Sequence, residues 1–156
     1  MQRTSGTGIE MPAVQFIRRE PERTLKIIEA YIEKNLEVPV IVEGTKDMEA
    51  LRKIGFRGRV IVYNSGLSVV AFSELVSRTE KRVILLMDFD RTGSILRRRL
   101  SSILSAVIQE VDVGLWIYIR RHLPVRTVEE LPTIIEALGS LSRSPPPGRK
   151  RGKNWE

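Results

Sequence analysis

Short apolar runs alternate along this chain with longer stretches in which apolar residues recur at helical spacing. From Pro21, a residue favoured at the first helical position, Leu25, Ile28, Tyr31, Ile32 and Leu36 form one stripe while Glu and Lys take the other face. Pro39 opens Val40-Ile41-Val42, which ends in Glu43-Gly44. Thr45 is placed to cap a helix lined inside by Met48, Leu51 and Ile54, and Gly55 to stop it. Val60 to Tyr63 is the next apolar run, followed by the turn Asn64-Ser65-Gly66 and a helix bearing Val69, Val70, Phe72, Leu75 and Val76. Val83 to Met87 is too short for a globular helix and has no polar face, so it reads as a strand buried on both sides. After Gly93 a long helix shows Ile95, Leu96, Leu100, Ile103, Leu104, Val107 and Ile108 as one stripe, with Arg97, Arg98 and Arg99 opposite. Val111 to Val113 can serve as a fourth strand, with a turn at Gly114 before a segment from Trp116 to Arg121. The capping box Thr127-Val128-Glu129-Glu130 starts the last helical signal, which Pro132 should break or restart and Gly139 should end.

Strands separated by helices predict an α/β fold, a parallel sheet of about four strands with helices on both faces. The expected organisation is a loose leader (1–20), an amphipathic helix packed on the core (21–37), the core itself (38–113), a helical extension (114–140) and a disordered basic tail (141–156).

Composition narrows the partners. With 156 residues, 42% of them apolar, the chain suits one domain with a proper core. No apolar run approaches the roughly 20 residues of a membrane span. Zero cysteines removes disulfides and thiolate metal sites together, and the expected location is the cytoplasm. The net charge is +7, and 19 of the 26 basic residues are Arg, which grips phosphate in bidentate fashion and stacks on bases. That balance favours a polyanionic partner, RNA or DNA, although Arg and Glu enrichment also fits heat adaptation.

The candidate chemistry lies at the end of the central strand. Asp88 and Asp90 are two of only four Asp in the chain, against fifteen Glu. In an extended chain they would face one side, with Phe89 on the other. Paired carboxylates repel unless a divalent cation such as magnesium or manganese lies between them; the alternative is that they form a turn and cap the next helix. Glu43 joins them only if the first and third core strands are neighbours, which requires the order 2-1-3-4. Asp47, one turn into the following helix, is either a supporting acid or a stabiliser of the helix N-terminus. Asn64, Ser65 and Gly66 offer donors to a phosphate or form an ordinary turn. Arg97, Arg98 and Arg99 are either a solvated face or, lying near a helix start where the dipole does not favour cations, phosphate contacts, and Arg91, Arg97 and Arg98 are the candidates for nucleic-acid phosphate. Trp116 suits packing better than base stacking, Trp155 either, and His122 a surface position.

These residues resemble a family. Ile41-Val42-Glu43-Gly44 followed by Leu86-Met87-Asp88-Phe89-Asp90 is similar to the Toprim pattern of a strand ending in Glu-Gly and a later strand ending in Asp-x-Asp, with Gly66 and Gly93 in place of two further family glycines. The Toprim domain is shared by type IA and type II topoisomerases, bacterial-type primases, some nucleases and the 5S ribosomal RNA maturases. The size looks most like the small stand-alone archaeal and bacterial members. The resemblance implies a Rossmann-like three-layer fold. Asp88 and Asp90 would hold magnesium, with Glu43 as a further ligand or as general acid or base, in breaking or joining a phosphodiester. The tyrosine-bearing domain of topoisomerases and the zinc module of primases have no counterpart, which leaves nuclease activity as the simplest expectation, alone or with a protein partner in RNA or DNA processing.

Two other readings compete. Asp88-Phe89-Asp90-Arg91-Thr92 superficially fits a haloacid-dehalogenase-type phosphatase, but the 66 residues after Asp90 hold no Lys before Lys150 and one Asp, too few for that class. A non-catalytic nucleic-acid-binding adaptor would use the Arg surface and keep the acids only for metal-assisted folding.

Overall fold

Val40, Ile41 and Val42 of β1 (Val40–Val42) have no accessible surface, nor do Val83, Ile84 and Leu85 of β3 (Arg82–Leu85). Strands apolar on both sides belong in the middle of a sheet covered on both faces. The computed structural model, which describes residues 21–63 and 66–143, has them there, in a four-stranded parallel sheet of order β2-β1-β3-β4. The edge strands β2 (Val60–Val62) and β4 (Glu110–Asp112) are only half-buried. The expected leader, Asn64, Ser65, and the tail from 144 with Trp155 lie outside the described residues.

The helices are α1 (Pro21–Asn35), α2 (Thr45–Ile54), α3 (Val69–Ser77), α4 (Arg91–Ser105), α5 (Gly114–His122) and α6 (Leu131–Arg143), the last preceded by a 3-10 turn at Val128–Glu130. Right-handed crossovers put α2 on one face of the sheet and α3 and α4 on the other. Accordingly α3 packs on α4, and α2 packs on α6, which also packs on α1. Gly55, at φ 116°, ends α2 in the left-handed conformation that favours glycine. No helix among the described residues is long and apolar enough to cross a membrane.

Several local expectations are corrected. The third strand ends at Leu85, so Asp88, Phe89 and Asp90 lie in a bend beyond it, where strand alternation no longer decides which way they face. The cap of α2 is Gly44, and Thr45 is its first helical residue. Gly114 opens α5 instead of forming a turn before it. Pro132 does mark a restart, at the second position of α6, where its missing N–H is harmless. Gly139 does not end that helix, which continues to Arg143; burial of Leu138 outweighs the propensity cost of about 1 kcal/mol for one glycine. Leu36 and Val107, counted in helical stripes, fall beyond the ends of α1 and α4 and are exposed, as are Val70, Leu75 and Ile95 on the outer faces of α3 and α4.

A polar cluster fastens α1 to β4. Tyr31 Oη donates to Asp112 Oδ1 at 2.8 Å, and Lys34 Nζ bonds both Asp112 Oδ2 and Glu110 Oε2, the second also held by Arg82. Burial alone would raise the Asp112 carboxyl, but Lys34, the Gly114 N–H and Tyr31 together hold it below the usual carboxylate range. A depressed pKa contributes stability above the unfolded value and loses it as pH falls through the folded one. Asp112→Asn should therefore lower the unfolding free energy by roughly 1–3 kcal/mol at neutral pH. In denaturant titrations at a series of pH values, the gap between the two proteins should close below about pH 4.

Candidate active site

Glu43 leaves β1 and Asp88 follows β3, and because these strands are hydrogen-bonded neighbours the two residues emerge together. Glu43 Oε2 accepts from the Asp88 N–H at 3.1 Å. The Asp88 carboxylate reaches further, its Oδ1 accepting from the Val128 N–H at 2.9 Å. Asp90 caps α4, Oδ1 accepting from the Gly93 N–H at 2.8 Å, and Asp47 Oδ2 accepts from the Gly44 N–H at 3.1 Å. Each acid is thus oriented by a backbone donor. Glu43 Oε1, Asp88 Oδ2 and Asp90 Oδ2 have no hydrogen bond among the described residues. Capping and ligation are not alternatives for Asp90, since it caps with one oxygen and keeps the other.

Burial raises the carboxyl pKa of Glu43, Asp47 and Asp88, and their neighbours' charges raise them further: Asp88 beside Glu43 and Asp47, and Asp90, Glu129 and Glu130 beside Asp88. None of these four acids has a Lys or Arg partner among the described ion pairs. Asp47 braces the start of α2 and sits within electrostatic reach of Asp88.

No three acidic side chains among the described residues converge closely enough to cage a metal ion alone. Magnesium does not need such a cage. It keeps several waters and is commonly held by one or two carboxylates and a substrate phosphate. Hard oxygen donors, oriented by backbone and unpaired with any cation, fit that mode of binding.

The expected phosphate contacts divide. Arg91, the first residue of α4, is exposed, as are Arg98 and Gly66. Arg97 is not on the solvent face: it shares the inner side of α4 with Gly93, Leu100 and Leu104, and its guanidinium stacks 4.5 Å from the Trp116 ring. Burial, with Arg98 alongside, lowers its pKa. His122 is half-buried against Tyr118, with ring centroids 4.6 Å apart.

Sequence reasoning missed how far the C-terminal extension builds the site. Trp116 Nε1–H donates to the Asp88 carbonyl at 3.1 Å, and the Phe89 N–H donates to the Arg126 carbonyl at 2.8 Å. With Val128 on the Asp88 carboxylate, residues 116–128 grip the acidic bend from the far side. The available signal was the capping box at Thr127, whose Glu130 accepts from the Arg126 and Thr127 N–H groups and so orders the turn that presents Val128.

Comparison with known proteins identifies the domain and finds a solved structure that shares its fold. The family model of the Toprim domain matches residues 37–113. A UPF0292 protein of Thermoplasma volcanium is 46% identical over 106 residues, 68% of this chain and 89% of that relative. A UPF0292 protein of Thermococcus kodakarensis is 33% identical over 114 residues, covering 70% and 81% of the two chains. A solved structure of a protein from Aquifex aeolicus shares the fold at a TM-score of 0.55 and 24% identity, over 65% of this chain and 95% of that one.

Two substitutions test the support of the bend. A Cβ on Gly93 would lie 2.1 Å from the Asp88 carbonyl oxygen, a backbone atom with nowhere to go. Gly93→Ala should destabilise by roughly 1–3 kcal/mol or more in denaturant unfolding. Trp116→Phe keeps the ring but strips the Asp88 carbonyl of its donor, with an expected loss of roughly 1–3 kcal/mol. The amides of Asp88 and Phe89 should then exchange hydrogen faster than those of β1.

Proposed function

We propose, for a chain that belongs to the UPF0292 family and carries a Toprim domain, that it is a magnesium- or manganese-dependent phosphodiesterase acting on RNA or DNA. The Toprim domain makes it a nucleic-acid-processing protein in general terms; hydrolysis is the finer reading. The observation that carries it is the Glu43–Asp88 juxtaposition: acids from two neighbouring strand ends, oriented by backbone N–H groups, partly buried and without a cationic partner among the described residues.

In this reading Asp88 and Asp90 would hold the cation, each having one carboxylate oxygen without a hydrogen bond among the described residues. The bound metal would neutralise charge on the phosphoryl oxygens and make an attacking water more acidic. Glu43 either adds a further ligand or moves a proton. Burial raises its pKa, the direction that suits a group which must both take and release a proton. The N–H of Asp88 keeps Glu43 Oε2 in place, so Oε1 is the atom free to act. Asp47 would brace the start of α2 behind Glu43 and add negative charge that favours cation binding. Arg91 and Arg98, both exposed on α4, would contact the phosphates of the bound polymer.

The test is cleavage of a panel of structured and single-stranded RNA and DNA, with magnesium or manganese, by wild type, Glu43→Gln and the double variant Asp88→Asn/Asp90→Asn. Glu43→Gln should reduce cleavage by roughly 10²- to 10⁴-fold, the range for loss of a general acid or base. The double variant should also lose the thermal stabilisation that the cation gives wild type, about 2.7 kcal/mol at a hundred times its Kd. Salt-sensitive binding without cleavage under either metal, and indifferent to these acids, would instead identify a nucleic-acid-binding adaptor that works beside a partner enzyme.

A further inference from the structure

The outer face of α4 carries a row of cations that extends beyond the acidic site. Taking about 100° per residue, Arg91, Ile95, Arg98 and Ser102 fall within about 60° of one another, and Arg99 lies next to them. All five are exposed. Arg91, Arg98 and Arg99 have no carboxylate partner among the described residues, whereas Arg59 and Arg82 are paired with Glu80 and Glu110. The helix has no acidic residue in its fifteen positions. Arg91 stands at the helix N-terminus, where the dipole disfavours a cation, so it is not there for the stability of α4. A shallow groove of about 330 Å³ runs along this face, lined by Ile95, Arg98, Arg99, Ser102 and Ile103.

We infer that this face of α4 is a track for a single polynucleotide strand, leading from the acidic site at Asp90 outward to Ser102. The inference rests on the hydrolase reading only for its starting point. Seven residues of helix separate Arg91 from Arg98, about 10 Å, so the row engages successive phosphates instead of one. The apolar floor decides between single strand and duplex. Ile95 is 42% exposed in the middle of the cations, where it can meet the face of a base only if bases are turned toward the protein. In a duplex they are paired inward, and a single strand presents them. Cations beside an apolar floor, without base-reading amides, give binding that depends on salt and hardly on sequence.

The experiment measures oligonucleotide affinity by fluorescence anisotropy across a salt series, for wild type, Arg98→Gln/Arg99→Gln, Ile95→Ala, and the charge-matched control Arg120→Gln/Arg121→Gln from the exposed end of α5. Each phosphate contact on a single strand contributes about 0.7 to the slope of log K against log salt. The Arg98/Arg99 variant should bind more weakly, with a slope shallower by about 1.4. Ile95→Ala should weaken binding without altering the slope, and the control should match wild type. Equal losses in the Arg98/Arg99 variant and the control, no loss in the former, or wild-type preference for duplex would overturn the track. Metal-dependent cleavage by the same proteins separates the two ideas. Cleavage that persists with an ineffective Arg98/Arg99 substitution removes the track alone; a normal track without cleavage removes the hydrolase alone. A wild type that binds no polynucleotide removes both.

Discussion

One residue's backbone carries much of the arrangement. The N–H of Asp88 donates to Glu43, its carbonyl receives the Trp116 indole and lies against the backbone of Gly93, and its carboxylate takes the N–H of Val128. Contacts therefore arrive from the end of β1, the start of α4, α5 and the 3-10 turn. The segment before it, Leu86 and Met87, has left the strand but remains fully buried, so the backbone entering the bend is shielded from water. Shielded backbone groups need protein partners, and the N–H and carbonyl of Asp88 find theirs in different parts of the chain. A bend held in this way moves only if several elements move with it.

That rigidity has an electrostatic use. Gathering Glu43, Asp47, Asp88 and Asp90 without a lysine or arginine among them works against folding, as the upward shifts of three of them record. Side chains on a pliable loop would swing apart into water. Here one oxygen of each is tied to a backbone N–H, so the repulsion is retained in the folded chain. Preorganised groups of this kind need no rearrangement when a cation or a phosphoryl centre arrives. The stability offsetting this cost lies elsewhere, in the fully buried β1 and β3 and in clusters such as Asn35, whose side chain joins the carbonyls of Val38 and Arg59 and the N–H of Gly58.

The parts legible in the sequence are those decided by local pattern or by topology. Unbroken apolar runs identify strands buried on two sides, and the need for Glu43 to reach the aspartates implies the order 2-1-3-4 that the sheet has. Gly55 and the box at Thr127 are visible because a cap is a local device. Trp116 and Val128 were not legible as supports of the bend. Val128 lies 40 residues from Asp88 in sequence, its contribution is a backbone N–H that any residue type possesses, and only tertiary packing brings it there. The strand end was misplaced for a related reason: burial continues through Met87 while pairing stops at Leu85, and hydrophobicity reports only the burial.

The three consecutive arginines of α4 show how one angle divides similar residues. Measured from the buried Gly93, Arg97 lies about 40° round the helix, close to Leu100 and Leu104, while Arg98 lies about 140° round and faces solvent. The inner position would desolvate a guanidinium without return, were it not for the face of Trp116, which takes the cation in place of water. Arg97 Nε is left buried without a hydrogen-bond partner among the described residues, so the stacking and the apolar stem carry the residue. The consequence is a division of labour that composition conceals. Arg97 presses on the indole that holds Asp88 and belongs to the frame of the site, whereas Arg98 and Arg99, one and two positions later, keep their charge in water.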